Sequence, residues 1–388
     1  MAYRFTSLPA TLLTMFVPKF FPSMLLFLVF SPLSVATSSC TSFQYCVLEH
    51  AIFTQNNTIE ATGAFTAPLS LKAVERGAES RIMHVVHGRN SDAGVSMDQT
   101  YVFKESYFSG NIGHVLGDDA FVIFTRLFSL GLGPASNVTV LLSEAADGPS
   151  LESLQRGPII RELYHLVTDR PLALMREGLS SPAAYARLIV GWDRLTYAIR
   201  GRSDDVVPLM PLPLVEAFRR RALAYAGLPL TLPAAPTLCD VLIVEKNASV
   251  AEHVYSINNA GALVAALREA GCRAQATQWD GVAFRQQIAL IAHRPIVVAL
   301  PGSDVMNCIF QPTHSGMLLP HRCSDQGCED SNEVTLWFAK LPHRKVMQFP
   351  RDDINLVWHG TSLTWRVAHF VAAVRAMVKQ LQEAAAAR

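Results

Sequence analysis

The chain has 388 residues, with 33 Lys and Arg against 32 Asp and Glu and a formal net charge of +1 when histidine is neutral. Half of the residues are hydrophobic and 17% are charged, a composition that supports substantial cores and argues against general disorder. The near-neutral charge gives no electrostatic reason to expect a nucleic-acid partner, and the length predicts two domains of roughly 100–200 residues each.

The N-terminal segment, residues 1–39, is predicted to target the chain to the secretory pathway. Its run 20–35 carries no charge and follows Lys19, and small residues that signal peptidase could cut surround Ala36. A cleaved signal peptide and an uncleaved type II signal anchor both stay open, because the run is slightly short for a bilayer span of about 20 residues. Either places the remaining chain in the lumen of the endoplasmic reticulum or Golgi apparatus. It would be held there as a single-pass type II membrane protein, or secreted after cleavage.

Sequons and cysteines agree with a lumenal address. N-glycosylation sequons begin at Asn56, Asn137 and Asn247. Cysteines whose spacing would close short loops form two sets: Cys40 with Cys46, and Cys323 with Cys328. Two others, Cys239 and Cys272, lie near the start and end of one predicted strand–helix unit, and Cys308 is left over. Buried thiols are the alternative for each cysteine, and their spacing does not predict a zinc site.

The first half of the lumenal chain is predicted to alternate strands with helices. Residues 47–110 have the pattern of short strands and turns, and a helix with apolar residues at helical spacing follows until Gly131 ends it. The next predicted elements are a strand at 137–142, a helix at 150–166, a strand at 186–190 and a helix at 214–226. Within the last helix, Arg219–Arg221 are predicted to form a solvated face.

The second half shows a more regular alternation. A proline-rich stretch at 228–240 is the linker candidate, and beyond it come strands at 241–244, 272–278 and 295–300 with helices at 259–270 and 283–292. A long amphipathic helix is predicted at 363–381. Apolar strands between helices predict a parallel sheet with both faces covered. The predicted fold is therefore α/β, with lobes at 40–227 and 241–350 and a terminal helical segment at 351–388 that docks across them.

The turn after the strand 295–300 is the sharpest local signal. Gly302 permits close approach of a ligand to the backbone, and free N–H groups at the following helix start can receive phosphate oxygens. Ser303 is positioned either to cap that helix or to hydrogen-bond a phosphate, while Asp304 adds an unfavourable negative charge. An ordinary strand–turn–helix corner is the alternative. Lys246, just past the first strand of the second lobe, is a further candidate for a phosphate contact.

A second signal is the stretch from Asn111 to Asp119. His114 and Asp118 are four residues apart, and a carboxylate bonded to one imidazole nitrogen makes the other a better base. In the alternative, Asn111 caps the helix, His114 bonds a backbone carbonyl, and Asp118 and Asp119 are solvated. We predict that His114 and the corner at 301–303 face each other across one gap.

Other chemistries lack their motifs. The sequence contains no GxxxxGK[ST], no GxGxxG after a strand, no GxSxG elbow and no Asp-x-Asp. Adjacent acidic pairs point their side chains apart, so no metal-dependent sugar-nucleotide clamp and no other cofactor is predicted. Four histidines show no metal-ligand spacing, so we expect them to lie at the surface or to have their hydrogen bonds satisfied within the protein: His293, His314, His321 and His343.

In this order the segments resemble glycosyltransferase family 61, which includes plant xylan-decorating enzymes and animal enzymes that modify lumenal glycoproteins. The similarity covers roughly 105–322 and includes these segments: NIGHVLGDD, AYARLIVGW, FRRRALAYAGL, the strand and Asn-containing helix start in 242–271, and FRQQIALIA. Gly302, Asn307 and Phe310 match the family's His-Gly-Ala…Asn…Phe turn. The chain departs from the pattern at Pro301 in place of the histidine and at Met317–Leu319 in place of an acid. The basic residue expected after the first strand of the second lobe is Glu245 or, with a one-residue shift, Lys246.

The resemblance implies two facing Rossmann-like lobes in the GT-B arrangement, with a nucleotide-sugar donor in the second lobe and inversion at the anomeric carbon. The expected partners are a nucleotide-sugar, a glycan or glycoprotein acceptor, and the membrane if the signal stays uncleaved. His114 or Asp118 is then the candidate base, Gly302 and Ser303 hold the donor diphosphate, and Asn307 orients it. A catalytically inactive relative that binds glycans or stabilises a partner is the main alternative. Another Rossmann-type enzyme is disfavoured by the missing GxGxxG.

Overall fold

The computed structural model describes residues 39–40, 46–53, 58–62, 69–76, 79–87, 99–105, 112–133, 136–144, 157–176, 183–190, 212–230, 237–245, 256–300, 302–320, 322–324, 327–329, 341, 343–350, 353–359 and 362–386. All of them belong to one compact unit that extends from Ser34 to Arg388. The predicted targeting run 20–35 and the middle of the predicted linker, 231–236, lie outside the described residues.

In chain order, the strands are β1 (Ser39–Cys40), β2 (Cys46–Phe53), β3 (Thr58–Thr62), β4 (Leu69–Arg76), β5 (Glu79–His87), β6 (Thr100–Glu105), β7 (Val138–Glu144), β8 (Ala173–Arg176), β9 (Ala183–Val190), β10 (Asp240–Glu245), β11 (Ser256–Ile257), β12 (Arg273–Gln278), β13 (Ile296–Ala299), β14 (Ser315–Pro320), β15 (Arg322–Ser324), β16 (Gly327–Glu329), β17 (Arg344–Phe349), β18 (Leu356–His359) and β19 (Ser362–Trp365). The helices are α1 (Ile112–His114), a π-helix (Val115–Ala120), α2 (Phe121–Ser129), α3 (Gly157–Tyr164), α4 (Leu212–Tyr225), α5 (Ala260–Glu269), α6 (Phe284–Ala292), a 3₁₀ helix (Ser303–Phe310) and α7 (Val367–Ala386).

The larger sheet combines parallel and antiparallel parts. Among the described residues it has nine strands in the order β4-β5-β3-β2-β9-β6-β7-β8, with β1 paired to β2. Strands β9, β6, β7 and β8 run parallel, whereas β2 pairs antiparallel with β9 and with β3. The prediction of a Rossmann-like first lobe is therefore confirmed only for the parallel part. The difference arises in residues 46–87, because the short turns between β2 and β3 and between β4 and β5 connect antiparallel neighbours.

The smaller sheet is parallel throughout and confirms the prediction for the second half. Its order is β12-β10-β13-β14-β17, which reads 2-1-3-4-5 in chain order. Side chains of β10 alternate between two hydrophobic clusters, with Leu242 and Val244 on one face and Val241 and Ile243 on the other. Both faces are thus buried, as continuous apolar strands predict.

Helices cover both faces of the smaller sheet. Side chains of α5 and α7 pack on one face, and those of α4, α6 and the 3₁₀ helix pack on the other. Gly316 of β14 allows α7 to approach closely, because a Cβ atom there would lie 2.3 Å from the Sδ of Met377. Within the described ranges, none of the helices has the length and apolar character that a bilayer span requires.

The hydrophobic core is continuous between the two sheets, and α4 forms the junction. Phe218 of α4 is fully buried and packs edge-on against Phe121 and Phe124 of α2, with ring centroids 5.1 and 5.0 Å apart. It also stacks on Phe310 at the end of the 3₁₀ helix, with a centroid separation of 6.1 Å. The helices that pack on one face of the larger sheet and on one face of the smaller sheet therefore share one hydrophobic cluster.

The prediction that Arg219–Arg221 form one solvated face is wrong for Arg219 and Arg221. Arg221 is partly buried, donates to the His165 carbonyl at 2.6 Å and pairs with Asp169. The Arg219 side chain is buried and donates hydrogen bonds to the carbonyls of Phe310 (3.1 Å) and Ala292 (3.3 Å). These carbonyls end the 3₁₀ helix and α6, where helices lack intrahelical donors. Burial lowers the pKa of Arg219, and the nearby Glu216 carboxylate opposes this shift. Arg219 thus caps two helix ends of the smaller-sheet layer from α4.

The long C-terminal helix begins later than predicted. Residues 362–365 form β19, which pairs with β11 and β18. Leu363 and Trp365 are fully buried whereas Ser362 and Thr364 are partly buried, which is the alternation of a strand rather than of a helix. Helix α7 starts at Val367 and buries an apolar face, as the remainder of the pattern predicts.

A disulfide bond joins Cys239 to Cys272, directly before the neighbouring strands β10 and β12. In the strand register, two further predicted pairs lie opposite each other: Cys40 and Cys46, and Cys323 and Cys328. Among the described residues, Cys308 is a free, buried thiol, and burial raises its pKa. Cys308 is therefore a core residue rather than a reactive one.

We expect Phe218→Ala to lower the free energy of unfolding by about 3–5 kcal/mol, because it removes a fully buried ring between two sheets. Denaturant unfolding measures this loss. Phe128→Ala is the matched control, since Phe128 is 48% exposed at the end of α2, and we expect it to cost less than about 1 kcal/mol. Equal losses in the two variants would contradict a shared core centred on Phe218.

Candidate functional site

The carboxyl edge of the smaller sheet contains a topological switch point. The chain leaves β10 for β12 through α5 on one face and continues to β13 through α6 on the other, so β10 has neighbours reached in opposite directions. In open α/β sheets of this 2-1-3-4-5 order, ligands bind in the crevice outside the carboxyl ends of the strands at that point. The segments that border this crevice are the end of β10 at Glu245 and the turn that follows β13 at Gly302.

Gly302 adopts a backbone conformation that glycine alone tolerates well. Its φ is 143° and its ψ is −176°, and the first bond of the 3₁₀ helix runs from the Val305 N–H to the Gly302 carbonyl at 3.2 Å. The N–H groups of Ser303 and Asp304 therefore precede the intrahelical pattern at the start of the helix. The predicted strand–turn–helix corner is present, although Pro301 and the side chains of Ser303 and Asp304 lie outside the described residues.

Asn307 lies within the 3₁₀ helix and is only 2% exposed. Its amide nitrogen donates to Oε1 of Gln287 on α6 at 2.9 Å, and Gln287 donates in turn to the Val282 carbonyl at 2.9 Å. This chain of hydrogen bonds joins the helix behind Gly302 to α6. The predicted contact of Asn307 with a nucleotide-sugar donor stays a prediction. In the structure, the Asn307 side chain attaches the 3₁₀ helix to α6.

The segment that carries His114 packs against the 3₁₀ helix that follows Gly302. Cα atoms of α1 come within 8 Å of Cα atoms of this helix. Ile112 and Val115 belong to the same hydrophobic cluster as Ile309, near the end of the helix that is far from Gly302. The structure therefore places α1 beside the 3₁₀ helix, and the approach of His114 to the corner at 301–303 stays a prediction.

The roles of His114 and Asp118 stay predictions, because their side chains lie outside the described residues, as do Asn111 and Lys246 entirely. His114 ends α1, and Asp118 lies in the π-helix Val115–Ala120. The i→i+5 hydrogen bonds of a π-helix widen the turn, so the α-helical geometry assumed for the pair does not apply. Such π-helical turns occur frequently at functional sites.

The carboxylate next to Asp118 is described, and it is not solvated. Asp119 is 1% exposed, and its Oδ2 accepts a hydrogen bond of 3.0 Å from the hydroxyl of Tyr164 at the end of α3. The alternative in which both Asp118 and Asp119 face water is therefore wrong for Asp119. This buried bond attaches the π-helix to α3 and so helps to hold the segment that includes His114.

Glu245 is a further candidate residue, which sequence reasoning noted only as a departure from the family pattern. It is partly buried at the end of β10, and among the described residues no hydrogen bond or ion pair reaches it. Burial raises the pKa of Glu245. A partly dehydrated, unpartnered carboxylate at a ligand-binding edge is typical of functional sites. The sequence signal that could have identified Glu245 is an acidic residue directly after the apolar run 241–244.

The opposite, amino edge of this sheet holds paired groups. The rings of His314 and His343, which precede β14 and β17, lie 5.0 Å apart. Arg344 is buried and donates to the Gln311 carbonyl at 2.8 Å, and burial lowers its pKa to about 10. Within the described ranges, no group of three or more His, Cys, Asp or Glu residues is arranged to hold a metal ion.

No protein-family model matches the chain, and no curated protein matches it. Solved structures with partial similarity include the bacterial iron-containing dodecameric glycosyltransferase TibC from enterotoxigenic E. coli H10407, at 13% identity over 75% of this chain and 80% of that chain, with a TM-score of 0.28. The dodecameric iron-containing heptosyltransferase TibC in complex with ADP-D-beta-D-heptose matches at 10% identity, 88% and 93% coverage, and a TM-score of 0.27. Rubredoxin oxygen:oxidoreductase from the anaerobe Desulfovibrio gigas matches at 10% identity, 89% and 99% coverage, and a TM-score of 0.27. At these TM-scores, proteins of different activities match equally, so the similarity assigns no function to this chain.

We expect Gly302→Ala to lower the free energy of unfolding by about 1–3 kcal/mol, because alanine is strained at a φ of 143°. Gly261→Ala is the matched control. Gly261 lies in α5, and a Cβ atom at this position would have no heavy atom within 4 Å. Alanine there should raise the free energy of unfolding by at most about 1 kcal/mol. Urea unfolding of both variants tests this. A neutral Gly302→Ala would show that the corner does not require glycine.

We expect Glu245→Gln to stabilise the protein at neutral pH and to lose this advantage in acid. The folded-state pKa of Glu245 is raised, so the wild type is penalised as pH rises through that pKa, and no penalty exists below the ordinary carboxyl pKa of 4.5. Unfolding free energies at pH 4 and pH 7 measure the difference. Glu383→Gln, on the exposed face of α7, is the control and should change stability by less than about 0.5 kcal/mol at either pH. A parallel pH response of the two variants would contradict the burial of Glu245.

Proposed function

We propose that the protein is a lumenal, inverting glycosyltransferase that moves a sugar from a nucleotide-sugar donor to a hydroxyl group of a glycan or glycoprotein. The proposal rests chiefly on one observation: α1, which ends at His114, lies against the 3₁₀ helix Ser303–Phe310 that follows Gly302 at the switch point of the smaller sheet. The resemblance to glycosyltransferase family 61 points to the same two segments, with donor binding in the second lobe of a GT-B arrangement.

In the proposed reaction, the acceptor oxygen attacks the anomeric carbon of the donor while the bond from that carbon to the diphosphate oxygen breaks. His114 or Asp118 takes the proton of the acceptor hydroxyl as general base. Main-chain N–H groups at the start of the 3₁₀ helix, with Lys246, stabilise the negative charge that develops on the leaving diphosphate. Attack from the side opposite the leaving group inverts the anomeric carbon. The proposal assigns no role to a metal ion or other cofactor.

The lumenal location is supported by the disulfide bond between Cys239 and Cys272, since such bonds persist mainly in oxidising compartments. The uncharged run 20–35 supports targeting to the endoplasmic reticulum or Golgi apparatus, with or without cleavage. The proposed domain arrangement keeps the boundaries 40–227, 228–240, 241–350 and 351–388.

A second candidate function is that of a glycosyltransferase-like protein without catalysis, which binds a glycan or stabilises a partner in the lumen. Two observations favour it. Pro301 stands where the family pattern has histidine, and Leu318, in the strand where the pattern has an acid, is fully buried. An inactive relative would keep the fold while these positions changed.

The two candidates are separated by binding and transfer assays on the purified lumenal chain. We expect calorimetric binding of at least one of the uridine, guanosine, adenosine and cytidine diphosphates, and slow hydrolysis of the matching nucleotide-sugar. His114→Ala and Asp118→Asn should each lower transfer at least about a hundred-fold if the residue is the base, whereas Arg220→Ala, on the exposed part of α4, should not. A folded protein that binds none of these nucleotides would overturn the enzymatic proposal.

A further inference from the structure

Glu245 and Gly302 border the same crevice from neighbouring strands. In the parallel register of β10 and β13, Val244 pairs with Ala299, so Glu245 is level with the residue that follows β13. That residue is Leu300, and Gly302 lies two residues after it in the chain. On its other side, Glu245 pairs with Gln278 at the end of β12. Glu245 is thus the ionisable side chain that β10 contributes to the switch point.

The carboxylate of Glu245 is partly buried, and among the described residues no donor or cation contacts it. Its oxygens stay accessible to water. An ionised carboxylate accepts hydrogen bonds and donates none. A ligand that displaces this water must therefore present donors in its place. A phosphate group does not, since its charge would repel the carboxylate.

The two sides of the sheet determine which part of a ligand reaches Glu245. By strand alternation, Glu245 lies on the same face as Val241 and Ile243, which pack with α5 and α7. The 3₁₀ helix behind Gly302 packs on the opposite face. A ligand whose diphosphate rests at the Gly302 corner must cross the sheet edge to reach Glu245. In a nucleotide-sugar, a sugar ring is attached to each end of the diphosphate, and both rings carry neighbouring hydroxyl groups.

We propose that Glu245 accepts hydrogen bonds from a vicinal pair of hydroxyl groups on the ligand, one to each carboxylate oxygen. The hydroxyls belong either to the ribose of the nucleotide or to the transferred sugar. This assignment rests on the proposed function, because it requires a nucleotide-sugar in the crevice. It makes Glu245 a binding residue for the donor, separate from the base and from the diphosphate contacts.

Calorimetry on wild-type protein and Glu245→Gln tests the assignment with the nucleoside diphosphate that the wild type binds, its 2′-deoxy and 3′-deoxy forms, and the matching nucleotide-sugar. Loss of a hydrogen bond to a charged acceptor should weaken binding roughly 10- to 100-fold. If ribose is the partner, the wild type discriminates against a deoxy form by about that factor, and Glu245→Gln does not. If the transferred sugar is the partner, Glu245→Gln weakens only the nucleotide-sugar.

The control variant is Glu383→Gln, which makes the same substitution at an exposed position of α7, away from the sheet edge. Its affinities should stay within about twofold of the wild type. Thermal unfolding confirms that both variants are folded. Unchanged affinity of Glu245→Gln for every ligand, in a wild type that binds them, overturns the assignment alone. Failure of the wild type to bind any nucleotide overturns the proposed function and the assignment with it.

Discussion

The packing around Phe218 joins the layer of the larger sheet to the layer of the smaller sheet. The ring contacts Phe121 and Phe124 of the larger-sheet layer on one side and Phe310 of the smaller-sheet layer on the other. Because the interior is close-packed, this shared core restricts how far the two sheets can shift against each other. Arg219 adds polar attachment beside it, by capping α6 and the 3₁₀ helix. The contact between α1 and the 3₁₀ helix lies within this shared core.

The two acids of β10 show how the smaller sheet divides structure from ligand binding. Asp240 begins the strand at the amino edge, where Arg294 and Arg273 pair with it. Glu245 ends the same strand at the carboxyl edge without such a partner among the described residues. A buried carboxylate with partners stabilises its surroundings, whereas a partly buried one without them costs stability. That contrast, within six residues, leaves the carboxyl edge with an acidic group that no described residue pairs.

The sequence predicted the second sheet well because β10 and β13 are short apolar runs and the helices between its first strands have clear ends. Gly271 illustrates this, since its φ of 82° ends α5 where the pattern predicted. Prediction from sequence failed where tertiary contacts override the local pattern. The charge of Arg219 predicts an exposed side chain, because the sequence does not show that the carbonyls of two distant helix ends surround it. The positions of Leu363 and Trp365 fit either a helix or a strand as long as their strand partners are unknown. The π-helix at Val115–Ala120 has no periodic signature that a search for α-helices detects.

Helix α4 precedes the proline-rich stretch 228–240 in the chain, yet its side chains serve both layers. A cut at that stretch would therefore separate each fragment from half of its packing surface, exposing Phe310 and Phe284 on one piece and Phe218 on the other. Chimeras that exchange one half with a homologue would have to carry α4 and its aromatic contacts as a unit. The same coupling means that residues at the strand ends can change during evolution without loss of packing only while the α4 surface on both halves keeps its shape.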